Sequence, residues 1–272
     1  MDSAVTRRWL REKGFDPEGD LCAAIKCKEY GGATTAMWKA ASSGELGVCR
    51  FLWENGAAST MSTKSSYGNT PMWAACCSGH LKVAKWLFKL GAAKDIRTWD
   101  SWNQTPFFIA CCNGYLDVAK WLCEVGAADD IHTENSSGIT PMQIAGLNDQ
   151  LRIVQWLILE SAANNNEGHV DPGILQRDAR APRPALITTL KLLINESTVF
   201  TSLVLSAVSI RDAQAQAQEG APAHRRRVNP DCALRLLRGH EGSVLRLIAD
   251  FAGVVYGRQL RNAREALRIM VA

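Results

Sequence analysis

The chain has 272 residues, 47% hydrophobic and 21% charged, a composition with ample apolar material for a core that excludes a wholly disordered polymer. Its net charge of +4 is unevenly shared: residues 1–210 hold 20 Lys+Arg against 21 Asp+Glu, whereas residues 211–272 hold 11 against 6, so attraction to nucleic acid or an anionic membrane would have to come from the second part. The apolar stretch Thr198 to Ile210 is too short to span a bilayer, and nine cysteines without a basic, apolar, small-residue leader pattern read as free thiols in a reducing compartment, cytoplasmic or nuclear.

In chain order, the first element is a helix over Thr6 to Gly14. Trp9-Leu10 followed by Gly14 repeats the five-residue step from Trp86 to Gly91. Residues 1–32 therefore read as a half-repeat cap and loop, with a longer loop or short helix around Asp20 to Lys28.

From residue 33 the chain repeats itself. Thr70-Pro71-Met72, Thr105-Pro106-Phe107 and Thr140-Pro141-Met142 recur every 35 residues, and Thr35-Ala36-Met37 lies one step earlier. Ala40, Ala75, Ala110 and Ala145 keep the same step, as do Leu46, Leu81, Leu116 and Leu151, and Phe51, Trp86, Trp121 and Trp156. Such a fixed period is the signature of a stacked array, in which each unit buries its apolar side against the next.

Within each copy, Thr supplies an N-cap oxygen and Pro a pre-set first helical position. The helix that follows is short, lined with alanine and cysteine, and stops at Gly44, Gly79 or Gly114. A second helix runs from the leucine column with apolar residues at helical spacing, such as Leu81, Val83, Ala84, Trp86, Leu87 and Leu90, and ends at Gly91 or its equivalents. The polar stretch Lys94 to Gln104 then returns the chain to the next Thr-Pro as an extended turn.

A unit of turn, helix, turn, helix with Thr-Pro and Gly-Ala at these offsets resembles the ankyrin repeat across many columns over residues 33–166. The resemblance implies an all-α fold: an ankyrin-repeat solenoid of helix-turn-helix units joined by extended finger loops, with additional C-terminal helices. The first copy lacks the proline and the fourth replaces both glycines, with Asp149 and Ser161, as suits terminal units that face water.

Beyond the repeats, Pro182 and Pro184 punctuate the chain ahead of apolar runs at Ala185 to Glu196 and Val199 to Ile210, so residues 167–210 read as a helical cap of the array. Residues 211–229, rich in Ala, Gln and Arg without aromatics, read as a flexible linker. Residues 230–272 form a basic helical region in which Arg258, Arg261, Arg264 and Arg268 share one helix face, a candidate for weak contact with anions. Val244 to Phe251 resembles the core helix of F-box-like modules, and so suggests an alternative: a substrate-selecting adaptor whose last helices recruit a second component such as a ubiquitin ligase.

Chemistry leaves little trace. There is no phosphate-cradling Gly-rich loop, no nucleophile elbow, no His-Glu-x-x-His and no Cys-x-x-Cys, so the chain reads as a non-catalytic binding protein that needs no cofactor. His80 fits the Gly-His turn of the resembled family. Cys76-Cys77 and Cys111-Cys112 repeat at the 35-residue step; Cys76 and Cys111 suit a small buried column better than a metal or redox site. Trp99 and Trp102, with Asp100 between them, fall in a finger where the neighbouring fingers carry Lys64 and Tyr67 or Glu134 and Ser137, and surface tryptophans rimmed by polar residues suit a binding hot spot. The resemblance implies a protein partner bound by finger tips and concave inner helices, here Tyr67, Trp99, Asp100 and Trp102 with Ala74, Cys77, Ser78, Ile109, Cys112, Asn113 and Ile144.

Overall fold

A computed structural model of the chain describes residues 3–26, 33–160 and 257–271 and a few isolated positions between 187 and 194. The chain divides into two compact units, one based on residues up to Leu157 and one that includes residues 158–160 and the helix Gly257–Val271. The expected linker at 211–229, the F-box-like run at 244–251 and nearly all of the expected cap at 167–210 lie outside the described residues.

The first unit opens with α1 (Ser3–Glu12), after which Gly14 takes a positive φ of 85°. Glu18 binds Arg7 at 3.1 Å and Arg11 at 3.7 Å, folding the following turn back on α1. The segment expected to be a loop or short helix contains instead a strand, β1 (Ala24–Lys26), paired antiparallel with β2 (Ala33–Thr35) in the register Ala24↔Thr35, Ile25↔Thr34 and Lys26↔Ala33. The β-branched residues Ile25, Thr34 and Thr35 favour this pairing.

Four helix pairs follow: α2 (Ala36–Ser42) with α3 (Leu46–Glu54), α4 (Pro71–Cys77) with α5 (Leu81–Lys89), α6 (Pro106–Cys112) with α7 (Leu116–Leu122), and α8 (Pro141–Leu147) with α9 (Leu151–Leu159). Each inner helix begins as the threonine column predicts. The hydroxyls of Thr35, Thr70, Thr105 and Thr140 accept from the backbone N–H of Trp38, Trp73, Phe108 and Gln143 at 3.1–3.2 Å, satisfying a donor the helix cannot. At the fourth inner-helix end, Asp149 adopts φ 55° where the earlier copies have glycine, one of the few side chains that tolerates this region.

Packing explains the rest of the period. The inner helices stack on one another through Ala40, Ala75, Ala110 and Ala145, all 0% exposed, and Met37, Met72, Phe107 and Met142 fill the layers between them. Fully burying each such side chain contributes about 1.5–3 kcal/mol. Trp121 meets Phe88 edge-on at 5.8 Å, so the outer tryptophan column seals neighbouring repeats. The stretch after each outer helix is not extended at once: Ala57–Ser62, Ala92–Arg97 and Ala128–His132 each form a 3-10 turn, because Thr60, Asp95 and Asp130 tuck under the helices as buried residues.

In the second unit, the helix Gly257–Val271 buries Asn262, Ala263, Ala266 and Met270. The Asn262 amide donates to the carbonyls of Ile158 and Leu159 at 3.4 and 3.2 Å, and Gln259 donates to Glu160 at 2.8 Å. Arg261, Arg264 and Arg268 lie on the exposed side. No helix among the described residues is long and apolar enough to cross a membrane.

Candidate functional site

Each finger is shaped by one side chain. In the finger from Thr98 to Gln104, Asp100 Oδ1 accepts from the backbone N–H of Trp102 at 2.9 Å and of Gln104 at 2.8 Å, while the Asp100 N–H donates to the Gln104 carbonyl at 3.2 Å. Such a side chain substitutes for backbone partners and holds a tight turn. Asn135 does the same for Ser137 and Ile139 at 2.9 and 3.0 Å, and Ser65 caps Tyr67 at 3.2 Å. Asn103 sits at the tip with φ 57°, between Gly68 and Gly138 in the equivalent places.

The fingers are also tied to one another. The N–H of Ser66 donates to the Ala33 carbonyl at 3.1 Å, that of Ser101 to Tyr67 at 2.9 Å and that of Ser136 to Trp102 at 2.9 Å. From below, the indole N–H of Trp73 donates to the Gln104 carbonyl at 3.1 Å, and that of Trp38 to Asn69 Oδ1 at 2.8 Å. The result is a row of pre-organised hairpin tips.

On this row Trp99 is 56% exposed and Trp102 49%. Trp102 lies over Tyr67 of the preceding finger, with ring centroids 5.7 Å apart and planes 22° from parallel, so its outer face is presented while its inner face is packed. Trp102 thus braces the preceding finger while Trp99 and Trp102 both stay about half exposed. Asp100, between them, is 5% exposed and is occupied with its own turn; it shapes the surface rather than forming part of it. Burial raises its carboxyl above the ordinary value, against the opposing pull of the N–H groups of Gln104 and Trp102.

The concave residues divide similarly. Ala74 at 1% and Ile109 at 8% exposure are packed between inner helices, which removes both from the accessible surface, since their column is the seam where α4 and α6 meet. Cys77, Ser78, Cys112 and Ile144 are half-buried and Asn113 is exposed. Asn113 donates to the Cys77 carbonyl at 2.8 Å and Asn148 to that of Cys112 at 2.9 Å, so these amides cap the last turn of the preceding inner helix. His80 does the same one repeat earlier, its Nε2 lying 3.1 Å from the Ser42 carbonyl, which requires the proton on Nε2. Leu147, 60% exposed, ends the Ser42, Cys77, Cys112 column and was legible only by extending that column one step.

The buried thiols of the helices are poor nucleophiles here. Burial pushes Cys77 up to about 11, against the lowering effect of the Asn113 amide, and Cys49 up to about 12; Cys76 and Cys111 are raised further by complete burial. Thiolates are the reactive and metal-binding species, so this row suits packing. Among the described residues no group of three or more His, Cys, Asp or Glu is placed to hold a metal ion.

A family model described as ankyrin repeats (3 copies) matches the chain over two stretches, residues 8–98 and 93–168. No curated protein matches it.

Proposed function

Because the chain belongs to the ankyrin-repeat family, whose repeats form protein-protein interaction domains, we propose that it is a non-catalytic scaffold that captures a protein partner on its finger tips. One observation carries this: Trp99 and Trp102 are about half exposed on a finger whose backbone is fixed by Asp100 and by bonds to both neighbouring fingers. A rigid aromatic surface loses little conformational entropy on binding and supplies large contact area. Tyr67 beneath Trp102 and the half-buried Cys77, Cys112 and Ile144 with the exposed Asn113 extend the surface onto the inner helices. We place this activity in the cytoplasm or nucleus, a reading supported by the unbridged state of the seven cysteines described.

The test is capture from native lysate by the intact protein and by a Trp99→Ser/Trp102→Ser variant of equal melting temperature, with captured proteins identified by mass spectrometry. A specific partner lost from the variant supports the finger reading. A partner captured equally by both moves the binding surface elsewhere.

A further inference from the structure

The three fingers from Thr63, Thr98 and Thr133 are equivalent stretches of successive repeats, 35 residues apart in the sequence. Each begins with a threonine in nearly the same extended conformation, φ −71° and ψ 124°, φ −77° and ψ 131°, and φ −72° and ψ 124°, and in each the side chain of Ser65, Asp100 or Asn135 accepts from the backbone N–H two residues on. The residue directly after the threonine therefore occupies the same place on successive fingers. Those residues are Lys64, Trp99 and Glu134, and all three are exposed. The buried Asp95 carboxyl also feels the Lys64 charge, but the ammonium group itself remains at the surface. A cation, an indole and an anion thus stand in line across fingers joined at Ser101 and Ser136.

We propose that this row selects an extended peptide segment of mixed charge, with an acidic side chain opposite Lys64, an apolar side chain on Trp99 and a basic side chain opposite Glu134. Packed helices lie roughly 8–10 Å apart, and an extended chain advances roughly 3.3 Å per residue, so one finger corresponds to about three residues of ligand. Trp99 supplies the contact area and the flanking charges supply the selection, since charges at the rim of an interface discriminate between partners more than they add affinity. The proposal rests on the finger reading above and adds the chemistry of the partner.

Three fluorescein-labelled peptides test it against the full chain by anisotropy at low salt, where exposed charges are least screened. They carry, at three-residue steps, Asp, Leu and Lys; Asp, Leu and Asp; or Lys, Leu and Lys. Wild type is expected to bind the mixed peptide at least about threefold tighter than either other, the scale of exposed ion pairs. Lys64→Glu should transfer the preference to the two-lysine peptide, and Glu134→Lys to the two-aspartate peptide. Both positions are exposed, and unchanged melting confirms intact folding. Equal binding of all three peptides, binding of none, or a ranking that neither charge reversal moves overturns the charged row. Trp99→Ser separates this from the finger reading: if it abolishes binding while the ranking ignores charge, the finger stands and the row falls, whereas undiminished binding removes both.

Discussion

Tyr115 lies against Gly79 of the preceding repeat, so closely that a Cβ at position 79 would overlap the phenol ring. Gly79 also has φ 77°, a conformation that costs other residues about 1–2 kcal/mol. Gly79→Ala therefore meets two penalties. Gly91 has φ 109° with nothing within 4 Å of an added Cβ, so Gly91→Ala meets backbone strain alone. Urea unfolding should rank Gly79→Ala as the more destabilising, and combining it with Tyr115→Ala should recover the difference. Equal losses at the two glycines would show that Tyr115 moves aside without cost.

Asp100 offers a test of how the presenting finger is held. Asn135 performs the same turn closure with an amide, so Asp100→Asn should keep the finger, whereas Asp100→Ala leaves two backbone donors without their acceptor and should cost about 1–3 kcal/mol. The aspartate carboxyl is raised by burial, so its contribution to stability is fully present below the ordinary carboxylate value and is lost as pH rises through the raised one. Relative to the asparagine variant, wild type should gain stability as the pH falls from neutral through the mildly acidic range. Denaturant midpoints for both proteins at several pH values check this, and parallel curves would contradict it.

Arg97 and Asp130 form a second link between repeats. The Arg97 Nε lies 3.1 Å from Asp130 Oδ1, and its Nη1 lies 3.2 Å from Asp129 Oδ2. The Asp130 side chain is 2% exposed but that of Arg97 is 47% exposed, so solvent screens the pair and tempers its strength. Arg97→Gln should still cost about 1–2 kcal/mol, because it strips a buried carboxylate of its charged donor. Adding Asp130→Asn should return part of that loss in thermal unfolding. An Arg97→Gln protein that melts with wild type would reduce the link to a surface contact.

The fold was legible because the residues that set helix boundaries recur at fixed offsets: Thr70, Thr105 and Thr140 cap helices where they were expected, and Asp149 preserves a left-handed turn that its neighbours make with glycine. The strand Ala24–Lys26 was hidden because only three residues pair, too few for alternation to register, and its partner lies in the first repeat. The 3-10 turns were hidden because Asp95 and Asp130 look like surface loop residues until packing buries them. At the candidate site, the exposure of Trp99 followed from its break with the column of Lys64 and Glu134. The burial of Ala74, Ile109 and Asp100 did not follow, because position within a repeat gives the side of a helix but not how closely the next repeat covers it.

Reactivity of the cysteines checks the packing reading directly. Burial pushes Cys77 up to about 11, so its thiolate population at neutral pH lies well below that of an ordinary thiol. Iodoacetamide at pH 7.5 should therefore alkylate Cys77 far more slowly than a small-molecule thiol, with Cys112, also raised by burial, slowed in the same direction. Cys49, Cys76 and Cys111 are fully buried and should label only as the repeats unfold, so their labelling rate should rise with urea along with the loss of helicity. Peptide mapping after timed quenching resolves each site. Rapid labelling of Cys77 in the folded protein would mean that the concave face opens, and that its thiols are available to chemistry the packed arrangement disfavours.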